Sequence, residues 1–444
     1  MVILVLAWGI SRALGPTDGQ ARTLAAMRAL PPLAGSDAFG TLWLLPYDIP
    51  EAAQAAVLAE DIRLHARQDR VQDDEEGQDG LRTSSAEGRF PQSRPTPEEL
   101  DRFCGGYGGD CLAKVAADRA AYAVLLAKYA GLIERAEGLS RHDGLRHPWQ
   151  AASGGVGFMA PPYHLSKLTA TRRAFDFLEG RQADALAGTC RDVDTWRRLG
   201  AESDLLVSRM VGVAYADIHV GLVADMLARI PRDFPMPTEC ERAFAPPAGK
   251  ELSMCQAMQG EVLWVERDVA SAFGEARGRW ARLQQTVLLS QEMSLADLAQ
   301  VHAIHCEPDA IRQLGEDLPW RDTRPLPGWL RFQCIGNPLG CRMGSLAQPA
   351  YGNYVGRIQD SNARIRLVGM LLQLRADMDD AKPFEQRLRE ASPQVGHPSR
   401  NVHLGSDGRS VRMQMRQHRD GSAIVWIVPL PPYFQAEPPR VPSG

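Results

Sequence analysis

The residues best suited to chemistry gather in one short stretch, VHAIHCEPD, which holds His302, His305, Cys306, Glu307 and Asp309. Residues three apart share a helical face, so His302 and His305 can turn two imidazoles toward one transition metal. A carboxylate from Glu307 or Asp309 would complete a hydrolytic metal site. However, the chain has no HExxH pattern, which would set a general base between two such ligands, and Pro308 stops a helix directly after Glu307. The expectation is therefore structural: two rings in a last helical turn, turned apart toward backbone carbonyls that lack donors. For the alternative reading of a hydrolase or metalloenzyme the candidates are His302, His305, Glu307 and Asp309, with His302 and His305 as the metal ligands.

Asp217 and His219 form a second polar pair, inside the apolar run AYADIHVGLVADML. Two positions apart on a helix, they point to different faces, and a dyad would need a third element to complete it. Tyr215 and His219, four apart, can meet on one face as a packing pair. There is no GxSxG elbow, and none of the five lysines follows a serine by three positions, which excludes SxxK hydrolase chemistry. The glycine-rich SGGVG lacks the lysine and preceding strand of a phosphate-binding loop. No catalytic residue and no cofactor is expected.

The eight cysteines are an even set of the kind found in disulfide-forming compartments: Cys104, Cys111, Cys190, Cys240, Cys255, Cys306, Cys334 and Cys341. Cys104 with Cys111, and Cys334 with Cys341, each enclose six residues rich in Gly or Pro and can close locally. Neither pair has the CxxC spacing of a zinc knuckle or a redox motif. For the other four, Cys190 with Cys240 and Cys255 with Cys306 is the expected pairing, with Cys240 to Cys255 as the rival.

These residues are positioned by helices. From Thr171 to Pro231 the apolar positions fall at threes and fours, which predicts three helices separated by Gly180 and Gly200. In the third, Leu206, Met210, Val213, Val220, Ala224 and Leu227 make one stripe and Val207, Val211, Ile218 and Leu222 another. It is expected to be the central helix of a bundle. Thr96-Pro97-Glu98-Glu99 predicts a capped helix start, residues 112–139 and 350–379 read as long helices, and Ser36 and Ser294 as N-caps. Residues 251–290 read as helix broken near Gly274 or Gly278, whereas 140–163, 231–250 and 322–340 read as loop. Near the end, Val411, Met413 and Met415 alternate with Arg412, Gln414 and Arg416 between two Asp-Gly turns, the pattern of a small meander with one buried face.

Composition is ordinary globular, and a net charge of −4 provides no basic surface for nucleic acid. Arginine outnumbers lysine 45 to 5, a bias that GC-rich coding explains without function. MVILVLAWGI is shorter than a bilayer span and has the length of a signal-peptide core without a preceding basic residue. It reads as a signal anchor or as a segment whose start lies upstream, with a buried first helix as the alternative.

The stretches SDAFGTLWLLPYDIPE, CRDVDTWRRLG, and IGNPLG followed by PAYGNYVGRIQDSNARIRLVGMLLQLRA resemble segments of uncharacterised exported α-helical proteins of Gram-negative bacteria. The resemblance implies export and a helical architecture, and it carries no functional residue onto this chain.

The fold expected is mainly α, a helical bundle or short irregular α-solenoid with a small C-terminal antiparallel β meander. Its divisions are a signal-anchor segment over 1–15, N-terminal helices over 16–67, a flexible polar loop over 68–95, a helical core over 96–380, the meander over 381–430 and a disordered tail over 431–444. The function expected is that of a non-enzymatic, membrane-tethered periplasmic binding or scaffold protein, an envelope-assembly accessory or an immunity-type inhibitor. Its partner would be another envelope protein, with no nucleic acid, and with membrane contact through the N-terminal apolar segment only.

Overall fold

The computed structural model describes residues 2–68, 84–105, 110–148, 159–274, 279–321, 331–347, 351–377, 382–419 and 422–435. The chain is 66% helical, with a three-stranded antiparallel sheet near its C-terminus, so the mainly α fold with a small β meander is what forms. The first helices are α1 (Val2–Leu14), α2 (Asp18–Arg28), α3 (Phe39–Trp43) and α4 (Glu51–Gln68). After them come α5 (Pro97–Arg102), α6 (Cys111–Ala117), α7 (Arg119–Lys128) and α8 (Ala130–Glu137). The middle of the chain is α9 (Lys167–Leu178), α10 (Gln182–Ala201), α11 (Leu206–Leu227) and α12 (Glu239–Ala243). The chain continues through α13 (Cys255–Gly274), α14 (Arg279–Leu288), α15 (Gln291–Ala303) and α16 (Pro308–Gly315). The last helices are α17 (Gln333–Gly336), α18 (Pro338–Ala347), α19 (Tyr351–Ala376) and α20 (Phe384–Ala391). The strands β1 (His403–Leu404), β2 (Ser410–Arg419) and β3 (Ser422–Pro429) then pair in chain order.

Caps explain several boundaries. Thr96 closes a capping box with Glu99 and Pro97 takes the first turn, as the sequence predicts; Thr17 and Gln20 form a second box at α2. Ser290 rather than Ser294 caps α15, its hydroxyl accepting from the Met293 N–H. Ser36 caps nothing and instead hydrogen-bonds Asp143, while Asp37 accepts from the Phe39 N–H at the start of α3. The single helix expected over 112–139 is three: Asp118 interrupts it and accepts from the Ala121 N–H at the restart, and a second break falls at Tyr129. The loop expected over 231–250 contains α12, which Cys240 anchors, and the loop expected over 322–340 contains α17 and the first turn of α18.

α11 is the centre, as its two stripes predict, although Val207 at its start is exposed and Val211 only half-buried. It is long and apolar enough to cross a membrane by length and composition, and 67% of that apolar window is buried inside this fold. Gly180 ends α9 in a left-handed conformation, φ 87°. Gly200, expected to separate helices, lies inside α10 and lets α11 approach: a Cβ on Gly212 would sit 2.6 Å from the Gly200 Cα. On the sheet, Val411, Met413 and Met415 are buried in the same core cluster as Val368 and Leu371 of α19.

Four disulfides close all eight cysteines: Cys104–Cys111, Cys190–Cys240, Cys255–Cys306 and Cys334–Cys341. Of the polar stretch, residues 84–95 are described; Ser84 and Ala86 are buried, and Ser84 and the Ser85 N–H bond to the Asp61 carboxylate. In the tail, Phe434 is buried and stacks on Phe384 of α20, ring centroids 4.4 Å apart. SGGVG, Trp149, Gly278, the second Asp-Gly turn, 69–83 and 436–444 lie outside the described residues.

Candidate functional site

The VHAIHCEPD stretch divides in two. α15 ends at Ala303, a 3-10 turn carries Ile304–Cys306, and Glu307 then adopts extended backbone as N-cap of α16, so that Pro308 opens a helix as well as closing one. His302 Nδ1 lies 2.9 Å from the Leu298 carbonyl oxygen and Nε2 lies 3.2 Å from the Tyr351 hydroxyl. A carbonyl only accepts, so Nδ1 carries the proton, and in the neutral ring Nε2 accepts from Tyr351. Burial holds the ring neutral by pushing its pKa down to about 4. His305 stacks on Trp320 at 5.2 Å and meets Tyr351 edge-on at 6.2 Å. Asp309 pairs with Arg312 and Gln313 at the surface. The fold thus gathers both histidines around Tyr351 and sends Asp309 elsewhere. Asp297, Cys334 and Cys341 also lie together, but the two sulfurs are bonded to each other and offer no thiolate.

From Tyr351 the aromatic row continues along α19 to Tyr354, ring centroids 6.4 Å apart, and there it borders a cleft of about 450 Å³. The start of α11 supplies Leu205, Leu206, Val207 and Met210; α13 supplies Glu261 and Trp264; and α19 supplies Tyr354 and Arg357. Gly260 makes this possible. α13 crosses so close to the turn before α11 that a Cβ there would lie 1.5 Å from the Asp204 carbonyl oxygen. The next residue, Glu261, accepts the Leu206 N–H at 2.9 Å, supplying an acceptor that the start of α11 lacks. Burial raises its carboxyl above the usual range, and burial first, then the nearby Glu261 charge, pushes the Tyr351 hydroxyl up to about 12. The Arg357 guanidinium sits over the Tyr354 ring, 5.5 Å from its centroid. The cleft can hold a bulky apolar group against Trp264 and Tyr354, with Arg357 available to a carboxylate or carbonyl oxygen. Sequence reasoning missed Glu261, Trp264 and Arg357; the available signal was Gly260-Glu261, a glycine and a charge interrupting an apolar helix.

The other polar pair is dispersed into the core. Asp217 pairs with Arg364 of α19, both buried. His219 is enclosed, its Nε2 3.4 Å from the Thr169 hydroxyl and its Nδ1 3.9 Å from Asp192, which itself pairs with Arg173. Burial first, then the Arg173 charge, drives the His219 pKa down to about 3. Tyr215 stacks on Trp196 at 4.6 Å and donates to the Tyr163 carbonyl. Comparison with family models, characterised proteins and solved structures finds no match.

Proposed function

We propose that this chain is a non-enzymatic binding or scaffold protein of the Gram-negative envelope, working in the periplasm at the membrane, and that the cleft between α11, α13 and α19 receives its partner. The cleft carries the reading. Its walls are apolar and aromatic, its carboxylate is committed to a helix start, and its arginine lies over an aromatic ring. Such a lining suits a large aliphatic or aromatic side chain presented by a protein segment, with Arg357 meeting a backbone or carboxylate oxygen. The four disulfides support an oxidising compartment, where they form and persist. An envelope-assembly accessory and an immunity-type inhibitor of a secreted toxin both fit this description.

The test is affinity capture from envelope extracts with the native chain and with Val207→Asp. Val207 lines the cleft and is exposed, so the added charge changes the cleft while leaving the core packing alone. A specific envelope protein should be recovered by the native chain and reduced about tenfold with the variant, the weight of one well-buried interface side chain. Recovery of no specific protein, or equal recovery by the variant, overturns the proposal.

A further inference from the structure

α1 is a helix turned inside out. Its polar side chains face the protein: Trp8 Nε1 donates to the Val287 carbonyl, Arg12 donates to the carbonyls of Thr286 and Leu289, and the buried Ser11 hydroxyl accepts the Gly336 N–H. Its aliphatic side chains Ile3, Leu6, Ile10 and Leu14 point outward and are all more than half exposed. A helix on a water-facing surface has the opposite arrangement.

The elements that hold α1 share this character. α14, which accepts the Trp8 and Arg12 bonds near its end, exposes Trp280 (77%), Leu283 and Val287 along a helical stripe. The turn from α17 to α18, closed by Cys334–Cys341, exposes Ile335 and Leu339 beside the Ser11 contact. The outward apolar groups of three separate chain segments therefore adjoin through bonds that α1 itself makes. The charge of these elements points the same way. The sequences of α1, α14, α17 and α18 contain no Asp or Glu, and Arg279 and Arg342 on them are exposed, in a chain whose net charge is −4.

We infer that α1, α14 and the α17–α18 turn together form a docking surface for an anionic phospholipid bilayer, on which the protein lies with these helices sunk into the headgroup boundary. Aliphatic groups enter the acyl region, tryptophan suits the interface, and arginine without carboxylates suits an anionic leaflet. This rests on the envelope placement proposed above and extends it: contact with the membrane is made by a composite folded face, of which α1 is one part.

Flotation of the purified full chain with vesicles tests this. The native protein should float with phosphatidylcholine vesicles containing phosphatidylglycerol and float several-fold less with phosphatidylcholine alone. Trp280→Ser/Leu283→Ser, which leaves α1 intact and removes only exposed side chains, should reduce flotation about tenfold with an unchanged circular dichroism spectrum. Should that variant misfold, brominated lipid applied to the native chain and to Trp280→Phe decides instead, because quenching should fall when Trp280 is absent. Three results overturn the inference: no flotation of the native chain; equal flotation of the α14 variant, leaving α1 to act alone; or a native dimer that the same substitutions dissociate, making a second copy the occupant. Failure here leaves the cleft reading intact, since that is read by partner capture without vesicles.

Discussion

The core around α11 and the face built on α1 handle polar and apolar groups in opposite ways. In the core, charge is taken inside and neutralised locally: Arg400 pairs with both Asp317 and Asp360, Arg364 with Asp217, and Arg173 with Asp192. At the α1 face, aliphatic groups are left outside, and hydrogen bonds to backbone carbonyls hold the helix from within. The first arrangement makes stability depend on every member of each ion network. The second makes it depend on few contacts and leaves a surface whose environment must be supplied from elsewhere.

The largest effect expected from breaking this contrast is in the core. Arg400→Met leaves Asp360 buried without a cation and Asp317 with only Arg416 at 3.6 Å, and should cost about 3–5 kcal/mol in urea unfolding. Adding Asp317→Asn and Asp360→Asn should recover a good part of that loss. A cost below about 1 kcal/mol would mean that the network is solvated and the contrast is wrong.

Disulfides sharpen the comparison. Cys190–Cys240 joins α10 to α12 across 50 residues, whereas Cys334–Cys341 closes only 7 beside the α1 face. On chain entropy, replacing the first pair with alanine should cost about 4 kcal/mol and the second about 2 kcal/mol. Thiol titration of the unreduced, denatured chain should find no free thiol, and eight would remove the oxidising-compartment argument.

Acid should loosen the fold through two buried histidines. His219 in the core and His302 in α15 have folded pKa values of about 3 and about 4, below the 6.5 of the free ring. The unfolded chain then binds more protons, so stability falls as pH drops from 6.5 toward 4. Two protons taken up on unfolding contribute a slope of about 2.7 kcal/mol per pH unit, of which the oppositely shifted Asp225 offsets about half in the same window. His302→Asn keeps an N–H donor for the Leu298 carbonyl and should lower the slope by about 1.4 kcal/mol per pH unit, measured by urea midpoints between pH 6.5 and 4.5. An unchanged slope would mean that the ring is already protonated when folded.

Local signals carried most of the architecture. The Thr96–Glu99 box, the spacing of α11 and the alternation at Val411 to Met415 are rules of one turn or one strand, and each is legible within a few residues. Neighbours distant in sequence were not legible. Nothing near Glu261 announces that it will accept a hydrogen bond from Leu206, 55 positions earlier, or that Arg400 will lie between Asp317 and Asp360. The exposure of α1 was hidden for the same reason: an apolar helix reads alike whether its aliphatic side is buried or bare, and only the positions of Ser11 and Arg12 against α17 and α14 decide it.

Asp225 gives the smallest effect, of opposite sign to the histidines. It lies on the last turns of α11, where burial first raises its carboxyl to about 7; Arg229 lowers it less, and Asp110 raises it further. Its ordinary value is 3.8, so between 3.8 and 7 the folded chain holds a proton that the unfolded chain has released. Stability therefore declines as pH rises through that window, and above pH 7 the native state carries an ionised carboxylate its surroundings disfavour. Asp225→Asn removes the charge and keeps the shape. It should stabilise the protein by about 2 kcal/mol at pH 8, roughly half the full shift because the group is only partly enclosed. The gain should shrink through pH 6 and vanish near pH 4, where the native residue is protonated in both states. Thermal melts of the two chains at these three values measure it. If the Asn variant is the less stable at pH 8, then Asp225 makes an ionised contact that holds α11, and the core neutralises one more charge than its ion pairs show.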